Sequence, residues 1–142
     1  MFFQKLISGV QIQMESQLLI KKFVQNVLGC TCPDKVFEQI EDNHVLPSIS
    51  PHSRSISIGG RLLIYVWKVE DRLEELQEGL LAMLEAGKKE RDANGLSRFR
   101  AVLAVENPQI IAPKANFYFS RFQGKDGRMH IHVISLPSLK NF

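Results

Sequence analysis

The sequence predicts an α/β fold: one domain built on a mixed sheet of four or five strands, with a Gly-Gly hairpin, helical crossovers and two N-terminal helices. Three observations carry this. Residues 71–92 place apolar side chains every three or four positions (Leu73, Leu76, Leu80, Leu84), as an amphipathic helix does. Nearly unbroken apolar runs flank them, 61–67 and 99–105, the pattern of strands covered on both faces. Ahead of these, Ser55-Ile56-Ser57-Ile58 alternates up to Gly59-Gly60, the signature of a tight hairpin. Strand, helix, strand in succession implies a right-handed parallel crossover. The 142 residues suit one domain.

Residues 1–13 read as a non-core N-terminal extension and 14–142 as the single α/β domain. The apolar run at Met1–Val10 is short and broken, and no small-residue cleavage pattern follows it. Ser16 to Leu28 forms an amphipathic helix, with Leu19, Ile20, Phe23, Val24, Val27 and Leu28 as its apolar stripe. Ser16 caps its start and Gly29 supplies the left-handed residue past its end. A shorter helix starts at Pro33, where a missing N–H costs nothing, with Cys32 as its N-cap and Asp34 in its first turn. Phe37 and Ile40 face inward, and the helix fades by Asp42-Asn43.

Residues 43–54, with Pro47, Pro51 and several serines, read as a loop or at best a short edge strand around Val45. The hairpin follows, its second strand lying centrally. In the long helix, Asp71 and Glu74 have capping-box spacing and Asn94-Gly95 ends it. At that length it spans about 33 Å against about 20 Å for the preceding strand. Either it breaks near Gly87 or its basic end projects beyond the sheet. Phe99–Val105 is the next strand. Residues 113–123 are ambiguous: Phe117 and Phe119 alternate like a strand, whereas Pro113 at a start, Ala115, Phe119 and Phe122 at helical spacing and Gly124 as a stop read as a helix. The helix is the preferred reading because it gives a second crossover into a last strand at 128–135. Residues 136–142 form a tail.

Composition bounds function more than it identifies it. With 44% hydrophobic and 23% charged residues the chain is globular, not disordered. A net charge of +3 permits an acidic partner. With no interleaving of basic and aromatic side chains, nucleic acid is not an expected partner. No run approaches 18 apolar residues, so no membrane span is expected. Two cysteines two positions apart make no disulfide framework and favour a reducing compartment, the cytoplasm.

Reactive chemistry concentrates in Gly29-Cys30-Thr31-Cys32-Pro33-Asp34. A thiol at a helix N-terminus has a lowered pKa and becomes a better nucleophile or ligand. Cys30 and Cys32 can form a strained, easily reduced disulfide, act as redox-sensing thiols, or bind metal. Two thiolates are too few for zinc or an iron–sulfur cluster. His130 and His132, two apart on a strand and so on one face, can complete such a site. So can the same cysteines from a second subunit in a homodimer. The alternative is that Cys30 packs as a small apolar residue and Cys32 merely begins a helix. Lys88, Lys89, Arg91, Arg98 and Arg100 gather around the end of the long helix, where they can bind phosphate or an acidic protein surface, or simply be solvated. No serine–histidine–acid spacing matches a nucleophile motif.

Four stretches together carry a resemblance: Leu28–Phe37, Gly60–Tyr65, Ala86–Asp92 with Arg98-Phe99-Arg100, and Met129–Ile134. In that order they resemble a group of small uncharacterised prokaryotic proteins with a Cys-x-Cys-Pro helix start ahead of a strand–helix–strand core. The resemblance covers roughly residues 15–135 and implies a single α/β domain. It lends weight to Cys30, Cys32, the basic helix end and the two histidines, and it implies no reaction or cofactor. The expected function is a thiol-based metal-binding or redox accessory protein. The alternative is a non-catalytic interaction module using the basic helix end or a sheet edge. An enzyme with a pocket at the strand carboxyl ends near Glu106 and Asn107 is a third option, on fold analogy alone.

Overall fold

The computed structural model describes residues 17–29, 34–69 and 73–139. Its five strands form one mixed sheet in sequence order: β1 (Ile40–His44), β2 (Arg54–Ile58), β3 (Leu62–Lys68), β4 (Arg98–Val105) and β5 (Met129–Ser135). The first three run antiparallel as a meander, and β4 and β5 continue parallel to β3. Three longer helical segments cover the sheet. α1 is helical from residue 17 and becomes π-helical over Phe23–Val27. α2 (Leu76–Ala93) joins β3 to β4, and α3 (Pro108–Arg121) joins β4 to β5. Crossovers of one hand advancing one way across a sheet put their helices on the same face. Accordingly α2 and α3 both pack on Leu63, Tyr65, Trp67, Phe99, Ala101 and Leu103. α1 covers the other face, on Ile56, Ile58, Leu62, Ile64, Val66 and Val102. β3 lies at the centre, buried on both sides except for Lys68.

Each glycine at the hairpin meets a specific need. Gly59 and Gly60 both have positive φ, 59° and 64°, and the Arg61 N–H donates to the Ile58 carbonyl across the turn at 3.0 Å. A Cβ on Gly59 would also come within 2.6 Å of the Val36 side chain, so only glycine lets that segment pass.

Several expectations are corrected. α1 ends at Leu28 with Gly29 left-handed (φ 68°), as expected, but Val27 is 40% exposed instead of facing the core. The wider π turn, with Leu28 N–H donating to Phe23 O, rotates Val27 off the apolar stripe. The second helix is only a 3₁₀ segment, Asp34–Glu38. Phe37 is buried, but Ile40 belongs to β1, in the stretch expected to be fading helix. The edge strand therefore precedes Val45. α2 begins at Leu76, after a 3₁₀ turn at Leu73–Glu75, and Glu75 makes no side-chain cap. Asp71, with its expected capping box, lies outside the described residues, as do residues 1–13, Ser16 and Cys30–Pro33. Starting later shortens the helix to about 27 Å, and it runs unbroken through Gly87. Gly87 lets the helix sit directly on the Phe99 ring, whose Cζ would lie 2.1 Å from an added Cβ. α3 is a helix, but Pro108 rather than Pro113 opens it; Pro113 sits inside, exposed. Ala115 and Phe122 are buried as expected. The tail is partly structured as a 3₁₀ turn, Leu136–Leu139, with Leu139 against the α1-side core.

Candidate functional site

The basic residues expected around the end of α2 do not form one cluster. Arg91 is 1% exposed, and its Nη1 and Nη2 donate to the two Asp126 carboxylate oxygens at 3.0 and 2.6 Å. Its Nε donates to Asp92 at 3.0 Å. Asp126 is held down to about 2, chiefly by that hydrogen bond from Arg91. The Lys88 ammonium donates to the Gly124 carbonyl at 2.7 Å. Both side chains clamp the loop before β5 onto α2. Lys89 remains exposed.

Arg98 and Arg100 lie elsewhere. Strand alternation puts them on the face of β4 that carries Val102, under α1, and the sheet separates them from Arg91. On β5, His130 is the direct neighbour of Arg100 and His132 of Val102, so both histidines leave from that same face. The Arg100 Nη1 donates to the Leu28 carbonyl at 2.9 Å and lies 2.8 Å from His132 Nε2. A guanidinium only donates, so that imidazole nitrogen is the unprotonated acceptor. The result is a cationic and imidazole cluster of Arg98, Arg100, His130 and His132 at the C-terminal end of α1. There the helix dipole and free carbonyls favour a guanidinium.

The electrostatics of the cluster agree. Burial, then Arg100 and then His130 push the His132 imidazole down to about 4, so it is neutral at physiological pH. Burial, then Arg100 and Arg98 lower His130. Arg100 is lowered by burial and then by Arg98. Among the described residues no carboxylate pairs with Arg98 or Arg100. The buried Nε of Arg100 has no acceptor among them.

Sequence spacing could not join these parts. Arg100 is 72 residues from Leu28 and 32 from His132, and only the parallel β4–β5 register brings His130 and His132 to it. Leu28 and Gly29 lead directly into Cys30. The thiol pair itself lies outside the described residues. Among the described residues no three His, Cys, Asp or Glu side chains converge to hold a metal ion.

A second polar feature lies on the opposite face. A cavity of about 760 Å³ is lined by Glu38, Glu41, Asn43, Ser55, Ser57 and Glu90, among others. The serines that alternate with Ile56 and Ile58 form its floor, and that alternation is its signal in the sequence. Beside it the Ser55 Oγ donates to Glu90 at 3.4 Å. Burial, reinforced by Glu90, pushes the Tyr65 hydroxyl well above its usual range. His52 stacks flat on Tyr65, with centroids 3.7 Å apart, and its Nδ1 is 2.6 Å from Ser50 Oγ. Glu106 is exposed, and the Asn107 backbone carbonyl accepts from Ile110 and Ile111 at the start of α3.

No family model, curated protein or solved structure matches the chain. Among the described residues no helix is long and apolar enough to cross a membrane.

Proposed function

We propose that the chain is a thiol-based redox accessory protein in which Cys30 and Cys32 exchange with a partner disulfide. Both thiols are oxidised to a Cys30–Cys32 disulfide, and the partner's disulfide is reduced to two thiols. The observation that supports this is the hydrogen bond from Arg100 to Leu28, two residues before Cys30. It ties the end of α1, just ahead of the thiol segment, to Arg100, which stands beside Arg98, His130 and His132. Such a setting stabilises thiolates and makes them faster nucleophiles at neutral pH. A disulfide spanning one residue is strained and therefore readily given back.

The same geometry weighs against metal binding by this set. The His132 Nε2 lone pair is occupied by Arg100, and two guanidiniums repel a cation at the position where His130 and His132 would hold it. The test is a free-thiol count and metal analysis on protein purified without oxygen, followed by equilibration with a glutathione buffer, for wild type and Cys30→Ser/Cys32→Ser. The expected result is two reactive thiols, no stoichiometric metal, and an intramolecular disulfide formed only under oxidising buffer. A stoichiometric zinc or iron–sulfur cluster lost in the double variant would replace the redox reading with the metal one. Two unreactive thiols would end both.

A second reading, a protein-interaction module, is favoured by Leu46 and Ile49. They are 92% and 93% exposed on the loop after edge strand β1. A change in sedimentation or partner binding on Leu46→Ser/Ile49→Ser would support it. At the basic end of α2, Arg91 and Lys88 are engaged by Asp126, Asp92 and the Gly124 carbonyl, while Lys89 is exposed.

A further inference from the structure

Among the described residues three arginines are largely buried, and two of them each grip both oxygens of a carboxylate. Arg54 turns its Nε and Nη2 edge onto both oxygens of Asp42, at 2.8 and 2.6 Å. Arg91 gives Nη1 and Nη2 to Asp126 and Nε to Asp92. Arg100 spends only Nη1, on Leu28 and His132. Its Nε is buried and unaccepted, and no hydrogen bond engages Nη2 among the described residues. That leaves the edge that binds a carboxylate in Arg54 without one in Arg100. A buried donor without an acceptor is rare in folded proteins, because leaving it so destabilises the fold.

We propose that Arg98, Arg100, His130 and His132 form a binding site for a phosphate dianion, either the free ion or the terminal group of a phosphomonoester. The Nε–Nη2 edge of Arg100 supplies two parallel donors matched to two phosphate oxygens. Arg98, on the same face and exposed, supplies a second guanidinium from the solvent side. His130, half-buried and directly across from Arg100, adds an imidazole donor.

Charge selects the class of ligand. The cluster carries two full positive charges and no carboxylate among the described residues. A phosphomonoester carries about −1.5 to −2 at pH 7 and neutralises both, whereas a carboxylate or a phosphodiester neutralises one. The inference rests on described side chains and is independent of the thiol chemistry proposed above.

The experiment is a titration of the full chain with inorganic phosphate, methyl phosphate, dimethyl phosphate and acetate. Binding is followed through the imidazole NMR signals of the four histidines, in wild type, Arg100→Gln and Arg98→Gln. The expected result is a saturable shift of His130 and His132 with phosphate or methyl phosphate, while His44 and His52 stay put. Acetate and the diester bind about tenfold more weakly or worse. Each arginine variant weakens phosphate by about tenfold or more. Arg98 is exposed, so its variant keeps the test valid should Arg100→Gln fold poorly. Phosphate over methyl phosphate identifies a free-ion site, and equal binding identifies a site for the terminal group of an ester. Unmoved His130 and His132 signals at millimolar phosphate would overturn the proposal. So would a dimethyl phosphate affinity equal to that of phosphate, or full affinity in Arg98→Gln. Because phosphate is titrated with the thiols reduced and again in Cys30→Ser/Cys32→Ser, the result does not depend on the redox reading.

Discussion

Arg91 and Arg100 sit on opposite faces of one sheet, and they differ in what surrounds them. Arg91 is 1% exposed and holds two carboxylates with all three of its guanidinium nitrogens. Arg100 is 8% exposed and holds a carbonyl, an imidazole nitrogen and no carboxylate among the described residues. A buried guanidinium that is fully paired locks structure. One that is half paired keeps donors and charge for a ligand or a nucleophile, at a cost to the resting fold. Arg91 therefore acts as a clamp on the α2 side, and the chemistry proposed above lies on the α1 side.

The largest effect should come from breaking the clamp. Asp126→Ala leaves Arg91 buried with only Asp92 as a carboxylate partner, and should cost about 3–5 kcal/mol in urea unfolding. A loss under about 1 kcal/mol would erase the contrast between the two arginines. The second effect is a pH dependence that arises on the α1 side. The folded chain holds His132 neutral down to about 4, while the unfolded chain protonates it from about 6.5. Stability is therefore full above pH 6.5 and is lost as pH falls from there towards 4, with no further loss from this group below. His132→Gln keeps an acceptor for Arg100 but cannot titrate. Between pH 7 and 4 wild type should lose on the order of 2 kcal/mol more than this variant, allowing for partial exposure. Equal losses would show that the imidazole is not desolvated.

A third and smaller effect concerns Asp126, whose carboxyl is held at about 2 in the folded chain. Its contribution persists above pH 4 and disappears as pH falls through 2. Asp126→Asn should accordingly show a flatter acid limb than wild type by about 1–2 kcal/mol. The smallest stability effect is Arg100→Met, which removes a half-paired charge and fills its volume. Unfolding should change by less than about 1 kcal/mol, in either direction.

Much of this architecture was legible in the residues. Apolar runs at 62–67 and 99–105 around the periodic helix were enough to identify the crossover, because strands buried on both faces show no alternation and helices do. β1 was not legible. Ile40-Glu41-Asp42-Asn43-His44 has neither alternation nor β-branched density, and it is a strand because its backbone completes the meander beside Arg54–Ile58. The basic residues misled for a related reason. Sequence proximity grouped Arg91 with Arg98 and Arg100, yet α2 packs on one face of the sheet with Phe99, and strand alternation points Arg98 and Arg100 to the other. Pairing of His132 with Arg100 depends on the β4–β5 register, and that of Leu28 with Arg100 on how α1 lies across the sheet. No local pattern encodes either.

The most direct test is the rate of alkylation of Cys30 and Cys32 as a function of pH, in wild type and Arg100→Met, with folding checked in both. If the cationic cluster under α1 serves the thiols, wild type will show a titration midpoint well below the ordinary thiol value of about 8.5, and Arg100→Met will move it up towards that value. Midpoints near about 8.5 in both proteins would contradict the account and leave the cluster to the phosphate site alone.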